Sequence, residues 1–166
     1  MPLKLVRAAP FYAPMMEEEA RRFLTETKTL LRIGTIGPGS YPDVHVVWYT
    51  FQNDKIYTTT VKGNKKYRNL QANSKVGFSI DTEAAPYKGV RGRAKATVID
   101  DSKVSGEILT KNVLKYMGTV DSPPAKAILS LIPQEVAIEL TPSYLATWDA
   151  SKKPKATPVC LMRTQR

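Results

Sequence analysis

Apolar and polar residues alternate with a period of two through much of the chain, so strands dominate the elements it predicts. Tyr87–Ile99 shows the pattern best. Val90, Gly92, Ala94, Ala96 and Val98 fall on one face, and Arg91, Arg93, Lys95 and Thr97 on the other. Small residues on the inward face suit the interior of a tight barrel. Alternation, or a run of β-branched and aromatic residues, predicts further strands over Leu30–Ile36, Asp43–Phe51, Lys55–Thr60, Lys75–Ile80 and Glu135–Thr141. Tyr144–Trp148 extends the sheet after a break at Pro142. Gly37–Ser40 and Gln52–Asp54 have turn composition.

Helical signals are fewer. Met16–Glu26 places Glu17, Glu18 and Glu19 in a first turn, where acids complement the helix dipole. Lys65–Ala72 reads as one short helix. Ser102–Met117 reads as a longer one, with Val104, Ile108, Leu109, Val113 and Met117 near helical spacing. Ser122-Pro123-Pro124 opens another, with serine as the cap and proline in the first turn. Residues 1–14 carry three prolines and read as an irregular arm, and 150–166 as a basic tail. The strands come as adjacent hairpins. The expected fold is therefore mainly β, an antiparallel barrel with flanking helices, in one domain over 1–166.

Composition removes several chemistries. The chain of 166 residues has one cysteine, Cys160, and one histidine, His45. No intrachain disulfide, cysteine zinc site or multi-histidine metal site follows from that. No G-x-S-x-G elbow accompanies His45. No run approaches the roughly 20 apolar residues of a membrane span, so no membrane partner is expected. Met1–Arg7 lacks the apolar stretch of a secretory signal, and a cytoplasmic location is expected.

The formal net charge of +10 calls for an anionic partner. Its distribution matters more than its sum. Residues 61–75 hold Lys62, Lys65, Lys66, Arg68 and Lys75 with no acid, and residues 88–95 hold Lys88, Arg91, Arg93 and Lys95 with none either. In Tyr57–Leu70 a strand ends in Thr58, Thr59 and Thr60, Gly63 loosens the loop, and Asn64 can cap a helix. Lys65 and Lys66 then fall in its first turn, where cations oppose the dipole. A bound phosphate would reverse that penalty, and a merely solvated basic loop is the other reading. The stripe Arg91, Arg93, Lys95 could hold an anion or face water. Only Tyr67 and Tyr87 lie near it, short of the aromatic platform that single-stranded nucleic acid requires. A basic β-barrel that binds nucleic acid is thus an alternative and not the main expectation. Trp148 suits either a planar ring or an interface, Trp48 suits packing, and His45 a structural role.

The order of these segments resembles the pyridoxamine 5′-phosphate oxidase-like family of FMN-binding split barrels. Glu17–Glu26 is similar to its leading helix, Leu31–Ile36 to its first strand and Tyr41–Tyr49 to its second. Lys65-Lys66-Tyr67-Arg68-Asn69-Leu70 with Asn73–Val76 resembles the segment that grips the phosphate. Val90–Ala94 resembles its glycine-x-alanine strand, and Leu140-Thr141-Pro142 with Trp148 its closing strand. The resemblance covers about residues 16–149. It implies an FMN-dependent oxidoreductase acting on a small redox substrate, built as a homodimer with the cofactor at the subunit interface. It further implies that His45, Val46, Val47 and Trp48, with Tyr57, Thr58, Thr59 and Thr60, line the flavin and its chain. Asn64, Lys65, Lys66 and Asn69 would hold the phosphate, while Tyr87, Arg91 and Trp148 would reach the site at the interface. No metal site and no catalytic side chain is implied. The family's C-terminal arginine-x-histidine pair is absent, because no histidine follows His45, which points away from pyridoxamine phosphate as substrate. The extra cations Lys62, Arg91 and Arg93 would also suit the deazaflavin F420, the alternative cofactor.

Overall fold

The computed structural model describes residues 4–9 and 11–152. Its elements are β1 (Leu5–Arg7), α1 (Glu17–Glu26), β2 (Leu31–Ile36), β3 (Pro42–Val47), β4 (Thr50–Gln52), β5 (Lys55–Val61), α2 (Lys65–Ala72), β6 (Lys75–Asp81), β7 (Lys88–Ile99), α3 (Ser102–Met117), α4 (Pro123–Leu129), a short 3-10 turn and β8 (Glu135–Asp149). The strands form one eight-stranded sheet in the order β3-β2-β6-β7-β8-β5-β4, with β1 beside β8. Among the described residues only the β1–β8 ladder is parallel. The sheet curls into the half-barrel of the split-barrel fold, with helices on its flanks.

Alternation along the strands builds the core. Leu31 and Ile33 of β2, Ile56 of β5, Ile80 of β6, Val90 of β7, and Ile138, Leu140 and Leu145 of β8 are all fully buried, and Leu24 of α1 joins the same cluster. Asn53 and Asp54 take positive φ in the tight β4–β5 turn, which short polar residues tolerate. Asp101 caps α3 by accepting from Lys103 N and Val104 N, and Gly118 ends it in the left-handed region. Among the described residues no helix is long and apolar enough to cross a membrane.

Three expectations are corrected. Asp43–Phe51 is not one strand: β3 ends at Val47 and β4 begins at Thr50. At the kink the ring of Tyr49 enters the core and its hydroxyl donates to Leu24 O at 2.9 Å. Pro142 does not break the last strand. It sits where the register shifts between Arg93 and Ala94, and Ser143 is the extra residue of that bulge, donating to Arg93 O at 3.0 Å. A proline has no N–H to offer, and a bulge asks for none. β8 pairs with β5 only up to Leu140 and with β1 only from Leu145, so Pro142 also falls in the gap between those partners. The N-terminal arm is not wholly irregular, since Leu5–Arg7 pairs with Leu145–Thr147. Most of the basic tail lies outside the described residues.

The segment before α1 is pinned to β8 through Thr147, which is fully buried. Its hydroxyl accepts from Met15 N at 3.0 Å and donates to Met15 O at 3.2 Å. Thr147→Val keeps the shape and leaves both Met15 groups unpaired. A loss of about 1–3 kcal/mol is expected in urea unfolding, and an unchanged midpoint would refute the pin.

Candidate functional site

Strands β3 and β5 lie near the two edges of the curled sheet, and α2 follows directly from β5. Asn64 caps α2 as its sequence suggests: Oδ1 accepts from Tyr67 N at 2.9 Å, and Nδ2 donates to Thr60 Oγ1 at 2.6 Å. The end of β5 and the first turn of α2 are thereby locked together.

The basic residues of this segment have different fates. Lys62 pairs with Asp100 at 2.6 Å, Lys65 pairs with Asp43 at 2.6 Å, and Arg68 donates to Gly63 O. Lys66 is 6% exposed and has no hydrogen bond or ion pair among the described residues. Burial pulls its pKa down to about 8, against a smaller upward pull from Glu135. Glu135 begins β8 opposite Val61. Its carboxyl is pushed up by burial, eased by the Thr59 hydroxyl and the Lys66 charge, and its Oε2 is buried without a partner. A nearly buried ammonium with no counter-ion in contact is costly in an isolated protein, and an anionic ligand would remove that cost.

Beside it runs a polar chain. Asn69 is 2% exposed and donates from Nδ2 to Asp43 Oδ2 at 2.9 Å and Thr35 Oγ1 at 3.0 Å. Thr35 Oγ1 lies 3.4 Å from His45 Nε2. Hydrogen bonds from Lys65 and Asn69 hold the Asp43 carboxyl below its ordinary range. Burial, followed by the Lys66 charge, lowers the pKa of His45. His45 therefore tends to be neutral, consistent with a structural role.

Along the middle of β5 is a cavity of about 300 Å³, bordered by Leu30, Val46, Val47, Trp48, Thr58, Thr59, Leu109 and Asn112. Trp48 stacks on Tyr116 of α3, ring centres 5.2 Å apart and planes 5° from parallel, which fixes one wall. Five of the eight residues expected on the two strands thus meet here, and Thr60 joins the Asn64 end. Tyr57 does not: it packs on Ile108 and Ala137 and donates to Glu139 Oε2 at 2.8 Å. Tyr87, Arg91 and Trp148 do not border the cavity. Tyr87 is 53% exposed, Arg91 donates to Ala8 O at 3.3 Å, and Trp148 packs over Gly89. Sequence reasoning missed Asp43, Glu135, Leu109 and Asn112. Asn112 alone left a local signal, a polar residue inside the buried stripe Ser105, Ile108, Leu109, Val113 of α3.

The arrangement fits an elongated, phosphorylated ring compound. One end offers a nearly buried unpaired cation, the other a mostly apolar cavity with a few polar groups, and β5 leads from Thr58 and Thr59 on the cavity to Thr60 beside Asn64. Solved structures with the same fold include a conserved hypothetical protein from Mycobacterium tuberculosis, 17% identical with a TM-score of 0.75, covering 92% of this chain and 97% of that one. An F420 reductase is 24% identical at a TM-score of 0.62, covering 75% and 94%. An FAD-binding protein from Mesorhizobium loti is 18% identical at 0.61, covering 81% and 95%. None of the curated proteins matches the chain by sequence. The sequence model of the pyridoxamine 5′-phosphate oxidase family matches residues 16–149, and with the split barrel and its site already described, the chain belongs to that family.

Proposed function

We propose that the protein binds FMN and serves as a flavin-dependent oxidoreductase of the cytoplasm. The observation that carries this reading is Lys66, a nearly buried cation with no partner beside the capped start of α2. In the proposal Lys66 and the α2 backbone hold the phosphate, with Asn64 and Asn69 positioning the loop around it. Val46, Val47 and Trp48 exclude water from the ring. Bound flavin supplies hydride or electron transfer, and the chain supplies position and electrostatics. Family membership and the likeness to an F420 reductase and an FAD-binding protein support a flavin-type cofactor.

The site is completed, in this reading, by a second copy of the chain. Val44 is 67% exposed and Val46 57%, and with Ile36 and Tyr41 they leave an apolar patch on the outer face of β2 and β3. Such patches mark interaction surfaces. A partner across this face would bring its own Tyr87, Arg91 and Trp148 to the site. The F420 reading is favoured by Arg93 and Lys95, exposed cations of β7 whose side chains have no partner among the described residues. One preparation separates these readings. Mass spectrometry of the small molecule released on denaturation is expected to give FMN, and light scattering to give twice the chain mass. Release of F420 would replace the cofactor. A colourless protein that shows no spectral change with either compound would overturn the reading.

A further inference from the structure

Helix α3 supplies the back wall of the cavity, and one of its residues has an unused donor. Leu109, Asn112 and Tyr116 follow at intervals of three and four, so they share one helix face. Leu109 and Asn112 border the cavity, and Tyr116 backs Trp48. Asn112 is 1% exposed. Its Oδ1 accepts from Thr50 Oγ1 at 2.8 Å, tying α3 to β4. Its Nδ2 has no hydrogen-bond partner among the described residues. The Thr58 side chain, also 1% exposed, borders the same cavity and has no hydrogen-bond partner among them either.

Neither atom is sealed in the core, because among the described residues the buried side-chain atoms without a hydrogen-bond partner are Asp54 Oδ1 and Glu135 Oε2. Asn112 Nδ2 and the Thr58 hydroxyl keep a small accessible surface, and a ligand that covers it must offer them partners or incur the cost of their desolvation. Two such groups bordering one cavity, whose other walls are Leu30, Val46, Val47, Trp48, Thr59 and Leu109, define a recognition pattern. A cavity of about 300 Å³ takes one end of an elongated ligand. The ligand edge that satisfies an N–H donor and a hydroxyl in an apolar slot is planar and rich in acceptors, as in a ring carbonyl beside an imino group.

We infer that Asn112 is a specificity-determining residue: its Nδ2 donates to a carbonyl or ring-nitrogen acceptor on the heterocyclic end of the ligand, with the Thr58 hydroxyl as second contact. This deepens the flavin-type reading and rests on it. It gives the two ends of the site separate tasks: Lys66 holds charge, and Asn112 identifies the ring.

Asn112→Asp tests the assignment, because it keeps the shape and the acceptor for Thr50 and replaces the donor with an acceptor. FMN and F420 are titrated in parallel with ribitol 5-phosphate, which has the phosphorylated chain and no ring. Asn112→Asp is expected to bind the ring compounds about tenfold to a hundredfold more weakly at pH 8 and ribitol 5-phosphate as the wild type does. Lys66→Ala weakens all three. On wild-type protein, 2-thio- and 4-thio-FMN present poorer acceptors, and at least one is expected to bind several-fold more weakly than FMN. Binding of FMN and F420 by Asn112→Asp within twofold of wild type overturns the inference. So does an equal loss of ring compounds and ribitol 5-phosphate, which would make Asn112 merely structural, and so do wild-type affinities for both thio analogues equal to that for FMN. Wild-type protein that binds neither FMN nor F420 overturns the reading beneath it as well.

Discussion

Lys66→Met is expected to make the ligand-free protein more stable and the ligand-binding protein worse. The two effects share one cause. In the free protein a nearly buried ammonium lacks a counter-ion, and methionine fills the same space without the charge. A gain of about 1–3 kcal/mol is expected in urea unfolding at pH 7. Binding of FMN should fall by about 1.5–3 kcal/mol, roughly 10- to 150-fold, because one charge-assisted contact to phosphate is gone.

The pH dependence sharpens this. Lys66 has a pKa of about 8 in the folded chain against an ordinary 10.5. Between those values the unfolded chain holds more protons than the folded one, so stability rises with pH across that window. Below about pH 8 the cost of the buried charge is fully present. Cofactor affinity runs the other way and declines as pH climbs through about 8, because the neutral amine grips a phosphate less well. In Lys66→Met both slopes should flatten. Wild-type unfolding free energies that stay level from pH 8 to 10 would refute the unpaired ammonium.

Gly92→Ala is expected to be strongly destabilising for a change of one methyl group. Gly92 lies in β7 opposite Leu145, next to the bulge at Arg93 and Ala94. A Cβ there would lie 2.3 Å from Tyr144 O and 2.9 Å from Phe78 Cζ. The first obstacle is backbone held by a ladder, so it cannot swing aside as a side chain would. Overpacking of this kind costs about 1–3 kcal/mol, and a displaced ladder adds to it. The variant should unfold at markedly lower urea concentration. Gly77→Ala, one strand away with open space above it, serves as the control and should unfold like the wild type.

These residues also show what sequence can and cannot convey. Gly92 was legible as one of the small inward residues of an alternating strand, and Asn64 as a cap, because both signals are local. β1 was not legible: its three residues are too short to show a period and are ordered by pairing with β8. Pro142 misled because its effect depends on which partner stands opposite, and there the ladder has a bulge. At the site, the phosphate segment was visible as charge. The pairing of Lys65 with Asp43, 22 residues away, was not, so Lys65 and Lys66 looked alike in sequence and differ in the fold. Asn112 reaches the cavity by tertiary packing of α3, which no spacing within β3 or β5 announces.

Strand β8 has one more consequence. It borders β7 along nearly its whole length, β5 through its first half and β1 through its second, and all three precede it in the chain. During synthesis β1, β5 and β7 must therefore wait with open edges for a strand that arrives after them, and closure of the half-barrel depends on contacts between distant parts of the chain. Such topologies fold slowly and expose unpaired strands meanwhile. The vulnerable moment of this protein is the interval before Glu135–Asp149 emerges, when chaperone capture and aggregation compete for the same edges.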